Sequence, residues 1–332
     1  MRIAVLGTGA VGGTIAALLD RAGHDVEATA RGANLTAIRR SGIRLDGAWG
    51  EHTAWVRTGE TLDLVPDVAF LCTKAQDAED ALRANRRTVD GTLIVVVQNG
   101  LDGLQAASRQ VRDASLVGAL ALFAASHLEP GRVTVTAPAT TTLGVPGRPV
   151  DDEVRRAAAV LGEAVPVAVT DDFLGAQWTK LLINEVNALP AITGLSVQAT
   201  IADPRLRRLL ARAMKEAART GLAAGVRFGA LQGLTDPAVR ALAAAPLPVV
   251  ELLPRRMAKG MGEVPNPGST LQSVRRGVRT EIDHLAGAVV RTAHRLGREA
   301  PVNQLLVDLV HEVERSGAFL GADEVVRRAA AL

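Results

Sequence analysis

The sequence predicts an α/β domain followed by an all-α domain, and three observations predict it. Short apolar, β-rich runs alternate with helical patterns through the first half of the chain. A glycine-rich turn joins the first run to the first helix, and from residue 172 helical periodicity takes over while β-branched runs vanish. With 332 residues the chain has the length of two domains, and the expected division is 1–170 and 171–332.

Residues 3–6, IAVL, carry no charge, as a strand buried on both faces requires. GTGAVG follows, with Gly7, Gly9 and Gly12 in G-x-G-x-x-G spacing. AVGGTIAALLDRAG then reads as a helix ending at Gly23, and DVEATA (25–30) as a second strand. Strand, glycine loop, helix and strand within about 30 residues is the setting of a Rossmann dinucleotide-binding domain. Gly7 permits the tight turn, Gly9 lets backbone approach a pyrophosphate, and Gly12 permits close helix–strand packing. The helix N-terminus offers N–H groups and a positive dipole end to phosphate. Gly7, Thr8, Gly9, Ala10, Val11 and Gly12 are therefore the expected cofactor loop.

An NAD site wants an acid at the end of the second strand. Glu27 lies too early, inside the strand, whereas Arg31 stands at its tip, where a guanidinium can hold a 2′-phosphate. The expected cofactor is NADP(H). PDVAFLCT (66–73) and GTLIVVVQ (91–98) read as further strands, with KAQDAEDALRAN between them as a helix. Ligands of open parallel sheets bind at the carboxyl ends of strands. This places Lys74 and Asn99 at the cofactor crevice; a helix cap at Thr73 and a plain turn at Asn99-Gly100 are the competing readings. DASLVGALALFAA (113–125), GRVTVTAP (131–138) and ATTTLGVPG (139–147) add strands. DDEVRRAAAVLGEA reads as a helix and PVAVT as a last strand.

The second domain opens with WTKLLINEVNALP (178–190), read as one helix. Lys180, Asn184 and Asn187 fall at i, i+4 and i+7 and share a face. A solvated stripe is the ordinary explanation of such a face, although Asn is a mediocre helix former. Further on, in NPGSTLQSVRRGVRTEIDHLAG (266–287), STLQ and TEID fit capping boxes with Ser269 and Thr280 as N-caps. Glu281 then falls in a first helical turn, where the dipole alone favours an acid.

Composition narrows the classes. The net charge is +3 without a basic block, so nucleic-acid binding is not indicated; RLRRLLARAMKEAARTG (205–221) reads as a solvated helix face. A single cysteine, Cys72, cannot form an intrachain disulfide and fits a reducing compartment. No signal-peptide pattern and no long uncharged apolar run appears, so a cytoplasmic protein is expected. Tyr is absent, so no Tyr serves as a proton donor, and the six His are not spaced as metal ligands; no metal is expected. The Ala/Leu-rich C-terminal helices leave open whether the chain pairs with itself as a homodimer or packs them on its own domain.

GTGAVG, CTKAQD, QNG, WTKLLINEVNALPAITG, GSTLQSVRRGVRTEID and PVN (301–303) occur in that order. Together they resemble the ketopantoate reductase (2-dehydropantoate 2-reductase) family over essentially the whole chain. The resemblance implies NADPH-dependent reduction of 2-dehydropantoate to pantoate, a step of pantothenate and coenzyme A biosynthesis. It implies Lys180 as the general acid, Lys74 as the cofactor-side lysine, and Asn99 and Asn184 as substrate-binding amides. It carries the family's serine and glutamate onto Ser269 and Glu281. On that view the stripe, Asn187 included, faces substrate rather than solvent. The chain departs from the family pattern at Ala188, where many members have a second Asn, at Ser273, where many have an acid, and in GALALFAASHLEPGRV, which lacks a Thr-Thr-His run. These departures bear on the substrate more than on the chemistry. Two alternatives stand beside this reading: a reductase of the same family acting on another 2-oxo acid, and a non-catalytic NADP(H)-binding regulatory protein, which would need neither Lys180 nor Glu281.

Overall fold

The computed structural model describes residues 1–262 and 264–332. The chain divides into two compact units, Met1–Leu174 and Gly175–Leu332. The first contains, in chain order, β1 (Arg2–Leu6), α1 (Ala10–Arg21), β2 (Asp25–Thr29), α2 (Gly32–Ser41), β3 (Ile43–Gly47), β4 (His52–Ala54), β5 (Arg57–Gly59) and β6 (Val68–Leu71). A 3-10 turn at Ala75–Asp77 leads into α3 (Ala78–Val89), β7 (Leu93–Val97), α4 (Gly103–Gln110), β8 (Ser115–Ala121), β9 (Ala124–Ser126), β10 (Arg132–Ala137), β11 (Thr141–Gly144), α5 (Asp152–Gly162) and β12 (Val167–Val169).

Eight of these strands form one sheet in the order β12-β11-β8-β7-β6-β1-β2-β5. Its centre is parallel, and only the β8–β11 pairing is antiparallel. Successive residues of the central strands point to opposite faces, so each strand feeds two cores. Ile3, Val5, Phe70 and Val95 join Ile15 and Leu18 of α1 and Val154 and Leu161 of α5. Ala4, Leu6, Leu71 and Ile94 join Ala78 and Leu82 of α3 and Ala107 of α4. Helices on both faces explain why β1, β6 and β7 read as uninterrupted apolar runs.

A second sheet, β4-β3-β10-β9, was not expected. The 131–138 run belongs to it, pairing in parallel with β3. The 113–125 run divides between the two sheets as β8 and β9, and Phe123 turns onto Trp49 there, with ring centroids 4.9 Å apart. The second sheet lies against α1, since a Cβ on Gly13 would stand 2.8 Å from Val133 Cγ1. The expected helix over 74–85 starts late, because the 3-10 turn comes first.

At the head of α1 two backbone segments meet. A Cβ on Gly12 would overlap the carbonyl oxygen of Gly7 and lie 2.7 Å from Cys72 Cβ, and Gly7 itself has φ +94°. Both positions thus require glycine for packing or backbone conformation. Burial at this junction pushes the Cys72 thiol far above its ordinary pKa, so it behaves as a small apolar group.

The second unit is helical. It holds most of α6 (Phe173–Asn184), a 3-10 turn at Glu185–Asn187, α7 (Ala188–Thr193), α8 (Val197–Ala202), α9 (Pro204–Ala223), α10 (Asp236–Ala244), α11 (Leu247–Val250) and α12 (Leu252–Gly260). There follow α13 (Gly268–Arg275), a 3-10 turn at Ile282–His284, α14 (Ala286–Arg295), α15 (Pro301–Ser316) and α16 (Ala322–Ala329). The long α9 is its axis: Leu206, Leu209, Leu210, Ala213, Met214 and Ala217 are buried along one face. No helix among the described residues is long and apolar enough to cross a membrane.

The expected single helix over 178–190 is broken at Glu185–Asn187. Pro190 supplies the reason. In a continuous helix it would sit mid-run, without an N–H and against the carbonyl of Val186. Restarting the helix at Ala188 puts Pro190 in a first turn, where no N–H is needed.

The close approach at α1 yields a test. Gly12→Ala forces β1 and α1 apart, and we expect a loss of unfolding free energy of about 2 kcal/mol or more in urea titrations. An unchanged denaturation midpoint would show that the junction yields without cost.

Candidate active site

The first unit presents a glycine loop built from its neighbours. Gly7 N–H donates to Thr29 Oγ1 (2.9 Å), and Thr8 donates to Thr29 O through both N–H (3.2 Å) and Oγ1 (3.1 Å). Asn34, on α2, was missed by sequence reasoning. Its Nδ2 donates to Thr8 O and to Thr8 Oγ1, both at 3.0 Å. Its Oδ1 accepts from Gly131 N–H (2.8 Å) and, in the appropriate tautomer, from His127 Nε2 (3.0 Å). One amide thus brackets the loop against the second sheet's approach. Only the spacing of an Asn shortly after a strand tip hinted at it.

The loop fits a dinucleotide. Gly9 is the N-cap of α1 and no side chain caps it, so the first-turn N–H groups are not taken by a side chain. A Cβ on Gly9 would meet nothing within 4 Å, which leaves open space at the helix head. Glu27 is 5 % exposed, and its carboxylate accepts from the backbone N–H groups of Asp63 (2.7 Å) and Leu64 (3.2 Å). That acid is committed to a loop and cannot serve a ribose. Arg31 is exposed at the end of β2 and is the extended N-cap of α2.

Lys74 and Asn99 lie just beyond the carboxyl ends of β6 and β7 and are half-buried. The residues before them tie these ends together, since Gln98 Nε2 donates to Thr73 O at 2.9 Å. A Cβ on Gly7 would come within 2.8 Å of Thr73 Cγ2, so the glycine loop, Thr73 and Gln98 sit side by side. Thr73 Oγ1 and Gln98 Oε1 are buried without a protein partner, two polar atoms left over at the edge where a ligand is expected.

In the second unit the stripe is not solvated. Lys180 is 8 % and Asn187 9 % exposed, and Asn184 is half-buried. Burial pushes the Lys180 ammonium down to about 8, and the Glu281 carboxylate opposes that fall. The structure therefore brings Lys180 and Glu281 into electrostatic contact from segments far apart in sequence. Asn187 Nδ2 donates to Asn184 Oδ1 at 3.5 Å, a long bond. A Cβ on Gly268 would come 2.5 Å from Asn187 Oδ1, which sets the start of α13, with the exposed Ser269, beside these amides.

Two expected caps differ. The N-cap of α13 is Pro267, not Ser269, because Asn266 Oδ1 already accepts the Gly268 N–H at 2.8 Å. Thr280 Oγ1 does accept the Ile282 N–H (3.3 Å), but a 3-10 turn follows, and the unusual backbone of Leu285 delays α14 to Ala286. Glu281 is thus in no α-helical first turn, and the dipole does not account for it. Among the described residues no group of three or more His, Cys, Asp or Glu is placed to hold a metal.

The chain is similar to known proteins along both units. The ketopantoate reductase PanE/ApbA family matches residues 3–147, and the ketopantoate reductase PanE/ApbA C-terminal family matches residues 172–314. A 2-dehydropantoate 2-reductase of Halobacterium salinarum is 30% identical over 326 residues, which cover 96% of this chain and 100% of that protein. One of Pyrococcus horikoshii is 26% identical, covering 96% and 99%. Among solved structures, a PanE/ApbA family ketopantoate reductase from Ralstonia eutropha superposes with TM-score 0.79 at 28% identity, covering 95% of this chain and 99% of that one. D-mandelate dehydrogenase bound to NADH and anilino(oxo)acetate shares the fold with TM-score 0.80 at 20% identity and the same coverage. With a glycine loop, a buried lysine beside a half-buried glutamate and family matches along both units, this chain belongs to the ketopantoate reductase family.

Proposed function

We propose that the protein reduces 2-dehydropantoate to pantoate with NADPH, and that Lys180 is its proton donor. The observation that carries this reading is the ammonium of Lys180, buried yet held charged by Glu281. NADPH, when bound, supplies the hydride. Gly7, Thr8, Gly9, Ala10, Val11 and Gly12 would hold its pyrophosphate, and Arg31 would take the 2′-phosphate as a planar fork. Lys74 and Asn99, beside the glycine loop, serve the same cofactor.

As the keto carbon is reduced, negative charge grows on its oxygen. An ammonium in a poorly solvated place stabilises that charge strongly and gives up its proton readily, because burial has already lowered its pKa toward neutrality. Glu281 keeps the ammonium protonated at neutral pH and offers an acceptor to the substrate hydroxyl. Asn184 and Asn187, with Ser269 beside them, supply amide donors and acceptors for the hydroxyl and carboxylate of a short acid, and the family resemblance gives Asn99 the same role. The relatives' names support the keto acid, while the departures at Ala188 and Ser273 make a panel of 2-oxo acids the natural control.

Four outcomes are expected. NADPH oxidation followed at 340 nm proceeds with 2-dehydropantoate, and Lys180→Ala lowers kcat by ~10² or more with NADPH binding intact. If that variant keeps wild-type kcat, the role of Lys180 is wrong; if another 2-oxo acid alone turns over, the substrate is. Only the ammonium form can donate, so kcat/KM is level at lower pH and falls above a midpoint near pH 8. Glu281→Gln removes the group that raises this pKa and moves the midpoint to lower pH; a shift upward would contradict the pairing. Arg31→Ala raises KM for NADPH roughly tenfold and leaves KM for NADH nearly unchanged. Equal effects on both cofactors would mean that Arg31 does not read the 2′-phosphate.

A further inference from the structure

The 3-10 turn between α6 and α7 carries a carboxyl group that the mechanism above does not use. Glu185 is 3 % exposed, and its Oε2 has no hydrogen-bond partner. The charged residue acting on it is Glu216 of α9, a second acid. Glu216 accepts from Val302 N–H (3.2 Å), Asn303 N–H (2.7 Å) and Asn303 Nδ2 (2.7 Å). Asn303 is fully buried, and its Oδ1 is also without a partner.

The elements packed on this turn bring no cation to Glu185. α7 has no charged residue, and α13 has only Arg275, whose guanidinium donates to Gly194 O at 3.3 Å. On α9, Arg207 pairs with Glu251, Lys215 and Arg219 donate to the carbonyls of Ala245 and Ala243, Arg205 pairs with Asp203 and Asp323, and Arg208 is exposed. Arg212 acts on Glu216 and donates to Ala329 O. On α6, Lys180 is matched with Glu281. Glu185 is thus a carboxyl in the core whose charged neighbour is another acid, the half-buried Glu216, and burial without a cation beside it disfavours its ionised form.

We propose that Glu185 is a positioning residue for the reduction: a carboxylic acid kept protonated in the core, which fixes the turn that carries Asn184 and Asn187. This rests on the substrate role given above to those two amides. Burial, with repulsion from Glu216, pushes the Glu185 carboxyl up to about 8, and burial raises Glu216 as well. Loss of the Glu185 proton puts an unpaired negative charge in the core. The turn then opens, and Asn187, which lies against Gly268, loses its place.

The test uses the whole protein, with Glu185→Gln as a neutral isostere and Glu185→Ala as a truncation. In the free wild-type protein, infrared difference spectra between pH 6 and pH 9 show loss of a protonated-carboxyl C=O band with a midpoint near 8; Glu185→Gln lacks it. The side-chain amide resonances of Asn184 and Asn187 move with the same midpoint in wild type, and move less in Glu185→Gln, where only Lys180 titrates beside them. The folded chain keeps a proton that the unfolded chain loses between about 4.5 and about 8, so wild type loses thermal stability relative to Glu185→Gln as pH rises through that window. In turnover, KM for the keto acid rises roughly tenfold from pH 6 to pH 9 in wild type, does not rise in Glu185→Gln, and is raised at every pH in Glu185→Ala. KM for NADPH does not follow this pattern.

A missing band in wild type, or one that persists in Glu185→Gln, overturns the protonated Glu185. A band that titrates while the amide resonances move no further in wild type than in Glu185→Gln overturns the positioning role. The infrared and resonance readouts need no substrate. Absent turnover with any keto acid therefore counts against the proposed reaction, while those readouts still decide the role of Glu185.

Discussion

A buried ammonium sets the terms for the second unit. Lys180 sits on a helix whose neighbouring side chains, Trp178, Leu181 and Leu182, are all buried. An isolated cation there would lose its proton or unfold its surroundings. Glu281 meets that demand from across the unit, and its position depends in turn on backbone that departs from regular helix. The 3-10 turn at Ile282–His284 and the Thr280 N–H bond to Glu314 Oε1 (2.7 Å) hold the segment that delivers it. Reactivity and architecture share one cause: the pair that keeps the lysine charged also fixes where the irregular segment must run.

The first unit works differently. Its glycine loop carries no charge and gains its form from neighbours, namely Thr29 from the adjacent strand, Asn34 from the following helix and Cys72 from the next strand over. Binding capacity there is a matter of leaving backbone N–H groups and space available. The commitment of Glu27 to a loop shows the same economy: an acid that could have read a ribose instead closes a backbone gap.

Much of this was legible in the sequence. The buried parallel strands declared themselves as charge-free runs, and G-x-G-x-x-G in strand–helix context placed the loop. The three-residue strands β4 and β5 were not legible, because so short a segment has no periodicity and draws its stability from pairing with distant chain. The line Lys180, Asn184, Asn187 was visible; that it is dry was not, since burial depends on what packs over it. The break at Glu185–Asn187 could have been read from Pro190. The partnership of Lys180 with Glu281 followed only from the family resemblance, because nothing local links the two. Likewise the caps at Ser269 and Thr280 followed a sound local rule, which Asn266 and Leu285 overrode.

The parallel pairing of β3 with β10 has a bearing on how this protein can be dissected. Register couples Arg44 to Arg132 and Leu45 to Val133, and Asn34 reaches forward to Gly131. The segment up to α4 holds the whole glycine motif and five strands of the main sheet, β1, β2, β5, β6 and β7. Yet that fragment lacks the strand against which β3 and α1 close. The nucleotide-binding half is therefore indivisible: a chain still emerging during synthesis gains a formed glycine loop only after β10 has arrived, and no shorter N-terminal piece would make a usable cofactor-binding module.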